Sequence, residues 1–414
     1  MSTGAGRDYV IRQCKREEIA QSLDLSEYAF QYILPEEERR KRIETDRPEH
    51  TWGCFVGGRL AAQLRILPLA VYVNGRRLAM GGIASVATWP EYRRGGMVAA
   101  LIRNALKVMK EAGQTISLLA PFSFAFYRKY GWETCVDRKK YTIETGHLPK
   151  IAARDSLSAE VCGADAALLG PVYEKWASRF NATLSRDPGW WEDRIFGRRK
   201  GRIVVFRNQG GEPVGYIQYK VENREFFVHE WVTLNHDAAL AMWRFIGNHD
   251  SMIDRVVMWA PERDRFPSLA DNPRFRQEIE PYFMARIVDV EAFLKLCPLL
   301  KKDERPAGLA SDEPIRLLLK VRDEHAPWND GLFRWTIGPD GAGFAEKLAD
   351  GRPEEAGSHL PRLECDIQTL SSLLVGYHTV RYLRETGRLQ GDPAAAEALA
   401  AVIPARETWL ADFF

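Results

Sequence analysis

Val86-Ala87-Thr88-Trp89-Pro90-Glu91-Tyr92-Arg93-Arg94-Gly95-Gly96-Met97-Val98 reads as a strand that runs into a tight, basic, glycine-bearing turn and leaves it as a helix. Two adjacent glycines let a backbone come close to a ligand. The start of a helix offers N–H donors with no intrahelical partner, together with the positive end of the dipole, and Arg93 and Arg94 add full charges. The stretch suits a pyrophosphate and points to an anionic, nucleotide-like cofactor. The plainer reading is an ordinary strand-to-helix turn with exposed arginines; against it stands the cost of glycine in a helix, about 1 kcal/mol each.

Upstream, residues 9–14 alternate as a strand, and 15–43 read as helical with a break near Pro35. Strand-like runs follow at 51–56 and 60–72, and Asn74-Gly75, a strong hairpin turn, hands over to 78–88. Downstream, Met97, Leu101, Ala105, Val108 and Ala112 recur at helical spacing up to a capping Gly113. A buried strand at 115–119 then ends at Ala120-Pro121, and a short helix runs through Phe124 to Tyr130.

The segment from about 151 to 290 repeats that plan. Val232 to Ala260-Pro261 is again strand, turn, helix, buried strand and Ala-Pro, but its turn is Leu234-Asn235-His236-Asp237, without glycine or arginine. A degenerate repeat that has lost its phosphate grip is the simplest account; a chance match of common elements is the other. From about 291 the character changes to strands at 317–321 and 331–336 and amphipathic helices at 367–374, 380–383 and 394–402, with an aromatic end, Trp409-Leu410-Ala411-Asp412-Phe413-Phe414. Chain ends are usually polar and frayed, so such an end is expected to be docked.

Bulk properties frame these elements. The chain has 414 residues, 45% hydrophobic and 28% charged, with net charge +2: long enough for two or three domains and too nearly neutral to argue for nucleic-acid binding. Six scattered cysteines lack C-x-x-C pairs or metal-like histidine spacing, which fits reduced thiols in a cytoplasm and no metal. Cys54 and Cys135 read as buried apolar fillers rather than an acyl relay, and His229-Glu230 as surface or satisfied strand-end groups. The charge runs 36–42 and 301–305 read as solvated faces. No apolar run approaches the roughly 18 residues of a membrane span, and residues 1–21 contain no signal-peptide core.

Arg93-Arg94-Gly95-Gly96-Met97-Val98 is similar to the acyl-CoA motif of the GNAT acetyltransferases, [RQ]-x-x-G-x-[GA], except that Val98 stands where a small residue is usual. The whole layout resembles the enhanced intracellular survival (Eis) family. That resemblance implies an α/β (α+β) fold: an acetyl-CoA-binding GNAT domain over 1–150, a degenerate second GNAT domain over 151–290, and a sterol-carrier-protein-like domain over 291–414. Phe126-Tyr127-Arg128-Lys129-Tyr130-Gly131-Trp132 resembles the family segment whose first tyrosine is the general acid, and the aromatic end resembles the terminus whose α-carboxylate is the base. These roles fall on Tyr127 and Phe414.

The resemblance also implies that Val86, Ala87 and Thr88 pair with the pantetheine arm, that 93–98 hold the pyrophosphate, and that Ser123 joins the cofactor contacts. A homo-hexamer is implied as well. Acetyl transfer to an amine needs a deprotonated nitrogen, a polarised carbonyl and a proton for the departing thiolate. Tyr130 is a rival for the acid, and a terminus docked for stability alone is the rival reading of Phe414. Asp24 and Glu27, with Tyr28 as an apolar wall, would receive a polyamine-like, aminoglycoside-like or lysine-like acceptor; a plain amphipathic helix is the alternative. A longer acyl donor, or a ligand carrier with a vestigial GNAT half, are the rival functions.

Overall fold

A computed structural model describes residues 8–152, 157–306, 312–349 and 359–414. The first unit runs β1 (Val10–Gln13), α1 (Ile19–Phe30), α2 (Glu36–Thr45), β2 (Thr51–Val56), β3 (Arg59–Val73), β4 (Arg76–Thr88), α3 (Met97–Glu111), β5 (Ile116–Leu119), α4 (Phe124–Arg128) and β6 (Glu133–Glu144). Asn74 and Gly75 both take positive φ, 49° and 80°, as a two-residue hairpin between β3 and β4 demands. Helix α3 buries Met97, Leu101, Ile102, Ala105, Leu106 and Met109 as one stripe. Each such side chain contributes about 1.5–3 kcal/mol when fully buried. Gly113, at φ 69°, ends the helix in the left-handed conformation.

The second unit runs β7 (Leu157–Cys162), α5 (Ala166–Ala177), β8 (Leu184–Ser185), α6 (Pro188–Trp190), a π-helical turn over Trp191–Phe196, β9 (Arg202–Asn208), β10 (Pro213–Glu222), β11 (Glu225–Thr233), α7 (His236–Gly247), β12 (Arg255–Pro261) and β13 (Arg276–Ile287). The two units share one thirteen-stranded sheet, in the order β1-β2-β3-β4-β5-β13-β6-β12-β11-β10-β9-β7, with β8 on β3. β13 lies between β5 and β6, and β6 reaches across to β12. The last strand of the second unit therefore completes the sheet of the first, an exchange with no local signal in the sequence.

The third unit comprises α8 (Val290–Leu296), β14 (Ile315–Arg322), β15 (Gly331–Ile337), β16 (Gly343–Lys347), β17 (Arg362–Asp366), α9 (Ile367–Leu374), α10 (Val380–Glu385), β18 (Gln390–Gly391) and α11 (Pro393–Ala400). Its sheet has the order β16-β15-β14-β17-β18, and α9 is buried over most of its length. The Ser371 hydroxyl accepts the Ile287 N–H at 2.9 Å, tying α9 to β13. One face of the shared sheet and the third unit contribute to a continuous core. The run 301–305 is not wholly solvated as expected: Arg305 is buried, donating to the Leu300 and Gly338 carbonyls.

Candidate active site

β4 and β5 run parallel and pair only from Met80↔Ile116 to Ile83↔Leu119. β5 stops there while β4 continues to Thr88, so beyond Ile83 one edge of β4 has no strand beside it among the described residues. Ser85, at φ 52°, is the extra residue of a bulge against β3, and bulges bend a strand and re-aim its groups. The register then resumes at Ala87↔Gln63 and Thr88↔Ala62. The open edge thus comprises Val86, Ala87 and Thr88, and the Thr88 hydroxyl is buried there without a partner among the described residues.

The turn that follows brings Arg93, Arg94 and Gly95 to Gly96, whose φ of 74° suits glycine and which starts α3 with no side-chain cap. The first-turn N–H groups of α3 are left for a ligand. Gly95 has no positive φ, and a Cβ on it would meet only the Tyr92 carbonyl, at an ordinary 3.4 Å. Nothing inside the chain requires glycine there, so its smallness serves the outer side. Arg93 and Arg94 are exposed and form no ion pair among the described residues. The Val98 side chain packs inward on the first unit's core, so its size does not crowd the turn. Residues 93–98 therefore fit a diphosphate.

Tyr127 lies on α4, whose five residues are too few to hold a helix alone. The Ser123 hydroxyl caps its start, accepting the Phe126 N–H at 3.3 Å, so this residue, expected among cofactor contacts, is engaged as a helix cap. The other end is held from far away in sequence. Gln368 donates to the Arg128 carbonyl at 2.8 Å, and His325 Nε2, necessarily the protonated nitrogen, donates to that of Lys129 at 2.7 Å. The fully buried Arg286 donates to the Tyr130 carbonyl while pairing with Asp323 at 2.6 Å. None of these positioning residues has a local motif.

The Tyr127 ring is 2% exposed, with Phe122 and Phe126 each 5.2 Å away and Trp132 at 6.3 Å. Its hydroxyl forms no hydrogen bond among the described residues, and burial pushes the phenol well above its usual range. Tyr130 instead lies against His325 at 4.9 Å. Cys54 belongs to the same core cluster and burial pushes its thiol up to about 12. Any thiol placed in so dry a site would be raised in the same way above its ordinary pKa of roughly 8.5.

Phe414 is docked, at 7% exposure. Its ring lies against Phe283 at 5.0 Å and Trp190 at 6.2 Å. The tail is fixed to the second unit: Asp412 pairs with Arg186 at 3.0 Å and accepts the Trp190 indole N–H at 2.9 Å, and Arg199 donates to the Ala411 carbonyl at 2.7 Å. A Cβ on Gly81 would run into Met109 of α3, and one on Gly82 into the Phe414 ring. Successive strand residues face opposite ways, so Phe414 lies on the sheet face turned away from α3. Tyr127 shares a core cluster with Ile83 and Leu119, the last pair before the strands part. The two residues thus approach the divergence of β4 and β5 from different cores.

Comparison with known proteins agrees in all three parts of the chain. Residues 10–135 and 182–287 each match a model described as an acetyltransferase (GNAT) domain, and 290–411 match one described as a sterol carrier protein domain. An N-acetyltransferase from Streptomyces avermitilis is 25% identical over 89% of both chains, and the N-acetyltransferase Eis of Mycobacterium tuberculosis is 22% identical over 82% of this chain and 81% of its own. The crystal structure of a probable N-acyltransferase from Enterococcus faecalis superposes with TM-score 0.87 at 27% identity, covering 98% of this chain and all of the other. The chain belongs to the Eis-like tandem-GNAT acetyltransferases.

Within this Eis-like enzyme the expected acceptor carboxylates are already occupied. Arg39 of α2 pairs with both Asp24, at 2.6 Å, and Glu27, and Glu27 also accepts the Leu34 N–H at 2.8 Å. Tyr28, 53% exposed, lies 5.0 Å from Trp89. A cation arriving at this helix would have to displace Arg39. On the Phe414 side the prominent group is instead Arg194, half-buried on the π-helical turn and 5.2 Å above the Trp190 ring, with no carboxylate partner among the described residues. Burial first, and then Arg198, Arg65 and Arg42, lower its pKa to about 10. Arg65 shares the β3 face with Leu69, which also touches the Gly82 position, and is itself paired with Asp46.

The remaining readings are placed as follows. Cys54 and Cys135 are buried in the core, and all six cysteines are free thiols. His229 contacts the Lys200 carbonyl, but Glu230 is a fully buried ion-pair member rather than a surface group. Among the described residues no cluster of three or more His, Cys, Asp or Glu is arranged to hold a metal, and no helix is long and apolar enough to cross a membrane.

Proposed function

We propose that this enzyme transfers an acetyl group directly from acetyl-CoA to a primary amine. The observation that carries the reading is the convergence on one strand divergence of an uncapped diglycine turn, a buried tyrosine and the docked chain terminus. Acetyl-CoA supplies the activated thioester. Residues 93–98 would grip its diphosphate, and a backbone N–H on the open edge of β4 would polarise the thioester oxygen. Tyr127 donates its proton to the sulfur as the C–S bond breaks, and the Phe414 α-carboxylate accepts the proton lost as the amine nitrogen bonds to the acetyl carbon. CoA release measured over a panel of amines, for the full chain and for a chain lacking Phe414, tests this. Turnover should fall with acetyl-CoA binding intact, and equal turnover would overturn the role of the terminus.

The acceptor surroundings favour an amine that also carries an acidic group over a polycation, because Arg39 holds Asp24 and Glu27 while Arg194 lacks a carboxylate. Free thiols agree with a cytoplasmic setting, and the family resemblance with a homo-hexamer, which sedimentation would read.

A further inference from the structure

The second unit repeats the geometry of the active site without its chemistry. β11 and β12 run parallel and pair over only three residues, Glu225↔Arg255 to Phe227↔Val257. They then part as β4 and β5 do, with α7 leaving the end of β11 as α3 leaves β4. The start of α7 is closed to anions: the Asn235 side chain accepts the Ala238 N–H at 2.9 Å, and no residue from 234 to 237 has the positive φ of the diglycine turn. The space between the strands, however, has not been filled by side chains. It is a cavity of about 500 Å³, within the range of small-molecule sites, roughly 300–1,000 Å³.

Its walls are aromatic. Trp231 and Trp259 come from the two strands, Trp176 from α5, Trp243 from α7 and Trp409 from the C-terminal tail. The buried and half-buried charged groups at its border are already satisfied: Glu230 by Arg186 and Arg199, Arg138 by Glu280 and by the Trp259 and Tyr282 rings at 3.7 and 3.9 Å, and Asp264 by the Tyr141 hydroxyl at 2.8 Å; Arg265, with no ion pair among the described residues, is exposed at the rim. An ion entering would lose hydration and find no free counter-charge deep in the cavity. Trp409 is 5% exposed, and its indole nitrogen is fully covered with no acceptor among the described residues, so Trp409 offers the cavity apolar ring surface.

We propose that the divergence of β11 and β12 is a second binding site, for an uncharged planar aromatic molecule. The aromatic walls stack on its faces, and the self-capped start of α7 excludes a coenzyme A diphosphate. The site is thus a cofactor cleft converted to hold a ring system, distinct from the site at Gly95 and Gly96 and independent of the acceptor or donor used there.

The test uses the full chain and coumarin, a neutral bicyclic ring with a carbonyl acceptor, followed by tryptophan fluorescence and calorimetry with coenzyme A present to fill the first cleft. One coumarin should bind per chain, and coumarin-3-carboxylate at least tenfold more weakly. Ala239→Trp, on the cavity wall, should abolish binding. Naphthalene, a neutral ring system of similar size with no polar atom, should also bind. Circular dichroism checks that the variant folds. The proposal is overturned if coumarin does not bind, if binding survives Ala239→Trp, or if coumarin-3-carboxylate binds as tightly as coumarin.

Discussion

The ring of Phe414 stands where a side chain on Gly82 would be: a Cβ there would lie 2.9 Å from the ring's Cε2 and 3.0 Å from Leu69 Cδ1. A glycine in the stretch of β4 paired with β5 is therefore the seat of the chain terminus. Gly82→Ala should push the ring, and the carboxylate behind it, out of line. A misplacement of about 1 Å can cost on the order of 100-fold in rate. Steady-state kinetics should show that loss in kcat with little change in KM for acetyl-CoA, and an unchanged kcat would mean that the terminus is docked for stability alone.

Gly95 separates ligand fit from protein fit. A methyl group there has room inside the chain and a compatible backbone, so Gly95→Ala should change stability by less than about 0.5 kcal/mol. It would nevertheless project beside the exposed helix start. KM for acetyl-CoA should rise about tenfold while kcat with saturating donor holds. Equal KM values for the two chains would place the diphosphate elsewhere.

Tyr127→Phe removes a hydroxyl with no hydrogen bond among the described residues, so thermal stability should barely move, while kcat should fall about 100-fold for loss of a general acid. Burial raises the phenol pKa, with a definite sign. The neutral form is favoured in the folded chain, so its contribution to stability is complete below the ordinary tyrosine value of about 10 and is lost as pH rises above it. The kcat profile should show no Tyr127-dependent descending limb below that pH. A limb near neutrality that disappears in Tyr127→Phe would assign the residue a different role.

How much of this was legible follows from the range of the interactions. The Asn74-Gly75 hairpin, the α3 stripe and its Gly113 end are local patterns, and the diglycine turn and Tyr127 segment lie within fifty residues of one another. The placement of β13 between β5 and β6 depends on partners more than a hundred residues away, and its sequence carries no mark of which strand it joins. The same applies to Arg286, His325 and Gln368, which fix α4 across 156, 196 and 240 residues. Asp24 and Glu27 look available in one dimension; only the return of α2 after Pro35 brings Arg39 onto both.

The tail's anchor gives a stability prediction. Arg186, Glu230 and Asp412 are buried together, with Arg199 and the Tyr216 hydroxyl completing the Glu230 shell. Burial alone would raise the Glu230 pKa, but Arg186 and Arg199 outweigh it and hold it at about 2. Since the folded value lies below the ordinary one, this stabilisation is present above roughly pH 4.5 and is lost as pH falls toward 2. Glu230→Gln should cost about 3–5 kcal/mol at pH 7, because it leaves buried arginine charge uncompensated, and should flatten the acid limb of stability. Urea unfolding at pH 7, 4 and 3 reads both effects.

Arg194 gives a prediction about what the acceptor carries besides its amine. It stands on the Trp190 ring, which in turn touches Phe414, so an acceptor whose nitrogen reaches the terminal carboxylate would hold its far end near this guanidinium. A half-buried arginine among Arg42, Arg65 and Arg198, with no carboxylate of its own, repels a polyamine and attracts an acid. For the full chain, kcat/KM for 4-aminobutyrate should exceed that for butylamine by about tenfold, the worth of one charge-assisted hydrogen bond, and should exceed that for spermidine as well. Arg194→Ala should erase the preference for the acid while leaving butylamine turnover and KM for acetyl-CoA unchanged. If spermidine is the better substrate of the unaltered chain, the acceptor charge assigned to this mouth has the wrong sign, although the transfer chemistry at Tyr127 and Phe414 would stand.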